Sequence, residues 1–158
     1  MKRIWQAYGA DRPLPGYLLA IGSYAVLAGA VSVAGRLTGV RLPERFSFGD
    51  TALVAVATHK ASRLLTKEAV TSPIRAPFTR YEESAGHAEL KETVRSDHPA
   101  RHAIGELLTC PFCAGVWIAS ALTAGLVFAP RLTRLVSTAL TAVAASDTLN
   151  IGYDKLKS

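Results

Sequence analysis

Two long runs of this chain carry no Asp, Glu, Lys or Arg: 23 residues from Pro13 to Gly35, and 24 from Leu107 to Pro130. At about 1.5 Å per helical residue, either run can cross a hydrocarbon core of about 30 Å. Only 19% of the residues are charged, against about a quarter in an ordinary soluble domain. This pattern excludes a disordered chain and a disulfide-stapled secreted module, and it argues against a water-soluble enzyme. The Met1-Lys2-Arg3 start and the small residues Ala28-Gly29-Ala30 resemble a signal peptide. However, the first apolar run begins late and exceeds the roughly 7–15 residue core of a signal, so a retained transmembrane helix is expected.

The rest of the chain is ordered around these spans. The expected fold is all-α: one membrane domain over residues 1–158, a multi-pass bundle of three to four helices with a polar cytoplasmic loop. The first transmembrane helix is placed at 16–36, after Pro13 and Pro15; its Gly22, Ser23, Gly29 and Ser32 permit close helix approach in lipid. A second, less apolar helix over 50–68 starts at a cap of Asp50 or Thr51 and ends in a basic stretch. Ser72-Pro73 and Ala76-Pro77 stop it. Residues 71–108 read as a polar loop with short helices at most, because no apolar periodicity is visible there. A further span covers 110–130 and a last, alanine-rich helix covers 132–151, interrupted by Asp147.

The net charge of +6 forms no basic block and no basic stripe interleaved with aromatics, so nucleic acid is not an expected partner. With the N-terminus inside, thirteen Lys and Arg side chains fall on the inner side and five (Arg36, Arg41, Arg45, Arg131 and Arg134) on the outer side. The positive-inside rule therefore places the N-terminus and the 71–108 loop in the cytoplasm. Membrane lipid is the expected surrounding, and the loop is the segment open to a protein partner. Trp5, Tyr17, Trp117 and Tyr153 fall near proposed span ends, where interfacial aromatics collect, although Trp117 sits about two turns in, where a packing role fits equally well.

Three groups of residues could carry chemistry. In Thr109-Cys110-Pro111-Phe112-Cys113, Thr109 or Cys110 caps a helix and Pro111 sits where its missing N–H is harmless. Thiols three apart then share the first turn, where the helix dipole favours a thiolate. A redox pair with Cys110 as nucleophile and Cys113 as resolving thiol is one reading. A zinc site of Cys110, Cys113, His98 and His102 is another, although the spacing matches no finger pattern. A third is two small thiols packing a helix end. The basic run His59, Lys60, Arg63 and Lys67 lies at helical spacing and, with Arg75, suits an anionic headgroup or simple anchoring at the cytoplasmic surface. Glu106, at the entry to the second span, is expected to pair with Arg63 or Lys60; Asp147 needs a partner or water, met by Lys155 snorkelling back or by exposure of the helix end.

The run His59-Lys60-Ala61-Ser62-Arg63-Leu64-Leu65-Thr66-Lys67, the run Pro73-Ile74-Arg75-Ala76-Pro77-Phe78-Thr79-Arg80-Tyr81, and Gly105-Glu106-Leu107-Leu108-Thr109-Cys110-Pro111-Phe112-Cys113 with Trp117 together resemble the bacterial domain-of-unknown-function-1360 proteins. These are small membrane proteins that include a Bacillus sporulation protein. The resemblance covers roughly residues 48–150 and leaves the first helix outside. It implies no activity or cofactor, but it implies that His59, Lys60, Arg63, Arg75, Glu106, Cys110 and Cys113 belong to one pattern. The leading expectation is a non-catalytic protein of the bacterial cytoplasmic membrane that binds a partner or anionic lipid at its cytoplasmic surface. A thiol redox protein and a zinc-stabilised module are the alternatives.

Overall fold

The computed structural model describes residues 13–96 and 98–157. Four long helices form its body: α1 (Leu14–Leu37), α2 (Phe48–Thr66), α5 (Pro111–Phe128) and α6 (Pro130–Lys157). Between α2 and α5 lie a 3-10 turn (Ala69–Thr71), α3 (Ser72–Arg75), strands β1 (Thr79–Gly86) and β2 (Glu89–Val94), and α4 (Pro99–Thr109). The chain is thus mostly helical, with a small two-stranded sheet where an all-α fold was expected. Lys2, Arg3 and Trp5 of the sequence reading lie outside the described residues.

Local chemistry sets the helix ends. Ser47 caps α2 by accepting the N–H of Asp50 at 3.0 Å, satisfying one of the orphan donors of the first turn. Pro111 and Pro130 open α5 and α6, where no N–H is needed. Only Ala129 separates those two helices. Their close return depends on Gly125, where a Cβ would stand 2.5 Å from Thr133 Oγ1.

Side-chain contacts fix the helix directions. Tyr17 donates to Glu106, Tyr24 Oη lies 2.8 Å from Ser120 Oγ, and the Phe128 ring lies against Gly35. Moving down α1 therefore means moving down α5, and the two run parallel. Arg134 pairs with Asp50, Thr141 donates to the Leu53 carbonyl, and Lys60 reaches Asp147. So α2 and α6 run parallel to each other, while Thr58 against Gly115 sets α2 antiparallel to α5. The helices alternate in direction. The start of α1, the end of α2, the start of α5 and the later part of α6 share one end of the bundle.

Two of these helices, Leu14–Leu37 and Pro111–Phe128, are long and apolar enough to cross a membrane. Protein covers little of either: none of the apolar window of α1 is buried, and 6% of that of α5. Leu18, Leu19, Ile21, Val26, Leu27 and Val33 of α1 are more than half exposed, as are Val116 of α5 and Leu132 and Leu135 of α6. Trp117 takes the packing role, edge-on against Tyr24 with centroids 5.2 Å apart.

Residues 71–108 are a folded cap rather than a loop. β1 and β2 pair antiparallel from Thr79–Val94 to Gly86–Glu89, with irregularities at Tyr81/Glu83 and Ser84/Gly86. The turn passes through Gly86, His87 and Ala88, all at positive φ. Segment 67–69 joins the hairpin edge, since Leu90 N–H donates to Lys67 O and Ala69 N–H to Ala88 O, each at 2.8 Å. Gly105 lets α4 lie against the sheet: a Cβ there would meet Val94 Cγ1 at 2.4 Å and Phe78 O at 3.0 Å. Gly16 does the same for α1 against Pro99 and Ala103.

Candidate functional site

The cap joins α2 through Arg75, the most deeply placed side chain in the cap, with 0% exposure. Its Nη1 donates to Leu65 O (2.9 Å), Glu68 O (3.1 Å) and Thr71 Oγ1 (2.7 Å). Its Nε donates to Glu92, whose side chain is 5% exposed. Thr79 Oγ1 completes the cluster by donating to Arg75 O at 3.0 Å. The guanidinium thereby caps carbonyls at the end of α2, where positive charge complements the helix dipole. Arg75 is a keystone of the fold and lies away from any surface where a headgroup could reach it.

A cleft of about 1000 Å³ opens between α2, α6 and the hairpin turn. His59, Lys60 and Arg63 line it from α2, at the helical spacing the sequence predicts. Every ammonium and guanidinium among these meets a carboxylate. Lys60 Nζ contacts Glu68 and lies 2.8 Å from Asp147. Arg63 clasps Glu89 through both oxygens, at 2.6 Å each from Nη2 and 3.0 Å from Nε to Oε1, the fork geometry that makes such pairs strong. Asp154 of α6 also lines the cleft. Two cations thus face four carboxylates, with His59 and His87 alongside, and the balance is acidic rather than basic.

The predicted basic constellation therefore divides. Lys67 leaves the helix, with φ −128° at the C-cap, and lies where its charge acts on Cys110. Arg75 is buried in the joint. The expected Glu106 pairing is corrected as well: Glu106 accepts from the Tyr17 hydroxyl and lies 3.5 Å from His102 Nε2, while Lys60 and Arg63 are engaged by Glu68, Asp147 and Glu89. Asp147 finds the partner it needs in Lys60, at 2.8 Å. Sequence reasoning missed Glu68, Glu89 and Glu92. The available signal was the supply of carboxylates in 68–92, five against the five Lys and Arg of 60–80.

Cys110 caps α5, its sulfur accepting the N–H of Cys113 at 3.4 Å. Both cysteines are free; Cys113 is exposed and Cys110 half-buried. Burial pushes the Cys110 thiol up, but hydrogen bonds from Cys113 and the N–H of Phe112, with the Lys67 charge, outweigh it and hold it below its ordinary value. The other half of the expected zinc set is engaged locally. His98 Nδ1 accepts the Ala100 N–H at 3.2 Å and His102 faces Glu106. Among the described residues, no three His, Cys, Asp or Glu side chains are grouped as a metal ion requires.

No solved structure matches this chain. A curated relative, the UPF0713 protein YngL of Bacillus subtilis, is 30% identical over 92 residues, which cover 56% of this chain and 66% of YngL. The family described as protein of unknown function DUF1360 matches residues 53–153, the region of α2, the cap, α5 and most of α6. That match takes in the cleft, the Arg75 joint and the thiol pair together, and by it the chain belongs to the DUF1360 family.

Proposed function

We propose that this chain is a non-catalytic integral protein of the bacterial cytoplasmic membrane, crossing it with α1, α2, α5 and α6 and presenting the cap to the cytoplasm. On this reading the cleft receives a positively charged segment of a partner protein. The observation that carries the membrane reading is the uncovered apolar surface of α1 and α5. A soluble monomer does not expose apolar area on that scale. α1 alone is about 36 Å long, enough to span.

The two less apolar helices support the same reading. α2 is free of charge only over 51–59 and α6 only over 135–146, about 14 and 18 Å. Both lengths fall short of the hydrocarbon thickness of about 30 Å, so their ends carry ionisable groups into it, where such groups are tolerated when they face protein and pair with one another. Asp50 with Arg134 at one end, and Lys60 with Asp147 at the other, meet that requirement. The inner-side excess of Lys and Arg supports placing the cap in the cytoplasm.

The acidic balance of the cleft favours a basic partner segment over the anionic headgroup suggested by the sequence. A lysine-rich peptide added to the detergent-solubilised full chain tests this. Binding that weakens with salt and falls in Asp154→Lys supports the reading. Absence of binding, or retention of phosphatidylglycerol that depends on Lys60 and Arg63, would replace it with the lipid reading. For the membrane assignment, the protein stays with the membrane pellet after alkaline carbonate extraction; release into the supernatant counts against it.

A further inference from the structure

The thiol pair takes no part in the cleft or the joint, and its geometry is that of a site. Cys110 stands at the N-cap of α5 in extended backbone, and Cys113 stands on the first turn. The Cys113 N–H points at the Cys110 sulfur at 3.4 Å, so the second cysteine's backbone is aimed at the first thiol. The helix N-terminus and Lys67 both supply positive charge to Cys110. Neither sulfur is sealed from small reagents, since Cys113 is exposed and Cys110 partly so. Pro111 fixes the backbone between them without removing a needed donor. Thiols that merely packed a helix end would be buried; these share one helical turn and are accessible.

We propose that Cys110 and Cys113 form a thiol–disulfide exchange site that accepts the disulfide of a low-molecular-weight thiol. The Cys110 thiolate attacks one sulfur of R–S–S–R, forming Cys110–S–S–R and releasing one thiolate, which takes up a proton. Cys113 then loses its proton and attacks the Cys110 sulfur, closing the Cys110–Cys113 disulfide and expelling the second R–S⁻. Two electrons pass from the protein dithiol to the small disulfide, which leaves as two thiols. The depressed Cys110 thiol supports its part as the attacking sulfur. The step uses no metal, and on the membrane reading it takes place where the start of α5 meets the cytoplasmic surface.

Equilibrating the purified full-length protein in detergent with mixtures of reduced and oxidised glutathione tests the proposal. Acid quenching, maleimide labelling and intact-mass measurement count the free thiols. The expected result is a single two-electron transition in which both thiols of one chain are lost together, with no added glutathione mass. In Cys113→Ser the intermediate is trapped as one glutathione adduct on Cys110, and in Cys110→Ser adduct formation is slower than in Cys113→Ser. Limited alkylation of the wild-type chain gives an independent reading: Cys110 takes the first alkyl group at neutral pH. Retention of both thiols across the series, disulfides only between chains, or preferential alkylation of Cys113 overturns the proposal.

Discussion

Replacing Arg75 with alanine is the sharpest probe of how the cap is held. The guanidinium is fully buried and Glu92 is 5% exposed, so the variant leaves a carboxylate desolvated with its countercharge gone. Removing one member of a buried ion pair costs about 3–5 kcal/mol. The carbonyls of Leu65 and Glu68 each lose one donor but keep Thr71 as another, so their loss adds little to that figure. A total near 4 kcal/mol corresponds to roughly a thousandfold rise in cap opening. Native-state hydrogen exchange by mass spectrometry, on the full chain in micelles, reads it through amides such as Arg95 N–H, which donates to Phe78 O at 2.9 Å. The double variant Arg75→Met with Glu92→Leu recovers most of the protection, because replacing both partners leaves no orphan charge. A loss below about 1 kcal/mol for Arg75→Ala refutes the keystone role.

Three further outcomes follow from the geometry. Gly105→Ala forces a Cβ to within 2.4 Å of Val94 Cγ1 and lowers thermal stability by about 1–3 kcal/mol; adding Val94→Ala restores part of it, and an unchanged melting temperature contradicts the packing. Ala88→Gly stabilises the cap by about 1 kcal/mol in the same exchange assay, since φ at Ala88 is +62° and only glycine adopts that region without a Cβ penalty; a destabilised hairpin argues against the turn. Lys91 beside Glu83 holds that carboxyl below its ordinary 4.5. The pair therefore supports the hairpin above pH 4.5 and its contribution fades as pH falls through the lowered value. Hairpin protection drops on acidification slightly more in the wild type than in Lys91→Met, and equal profiles negate the pairing.

The helices were legible because lipid-facing spans announce themselves by the absence of charge. Leu14–Leu37 and Pro111–Phe128 fall close to the runs that lack Asp, Glu, Lys and Arg. The hairpin was not legible for a specific reason. On β2, Leu90, Glu92 and Val94 turn inward, but the middle one is a carboxylate, there because Arg75 is beneath it. A buried ion pair thus erased the alternation by which a half-buried strand is recognised. β1 hides itself too, burying only Thr79. The same mechanism misled the reading of the basic run. His59, Lys60 and Arg63 do share a face, but linear spacing could not reveal that Glu68, Glu89 and Asp147 arrive from three other elements to neutralise it. Cys110 as a helix cap was readable from Pro111 alone; the approach of Lys67 required the fold.

Side-specific labelling tests the arrangement of the whole molecule most directly. Single cysteines are placed at Leu42, between α1 and α2, or at Ser84 in the hairpin, in a chain carrying Cys110→Ser and Cys113→Ser. Intact protoplasts are then treated with a membrane-impermeant maleimide. The four-span arrangement predicts that Leu42→Cys reacts at once and Ser84→Cys only after the membrane is opened. Reaction of Ser84→Cys in intact protoplasts, or protection of both positions until lysis, would contradict it.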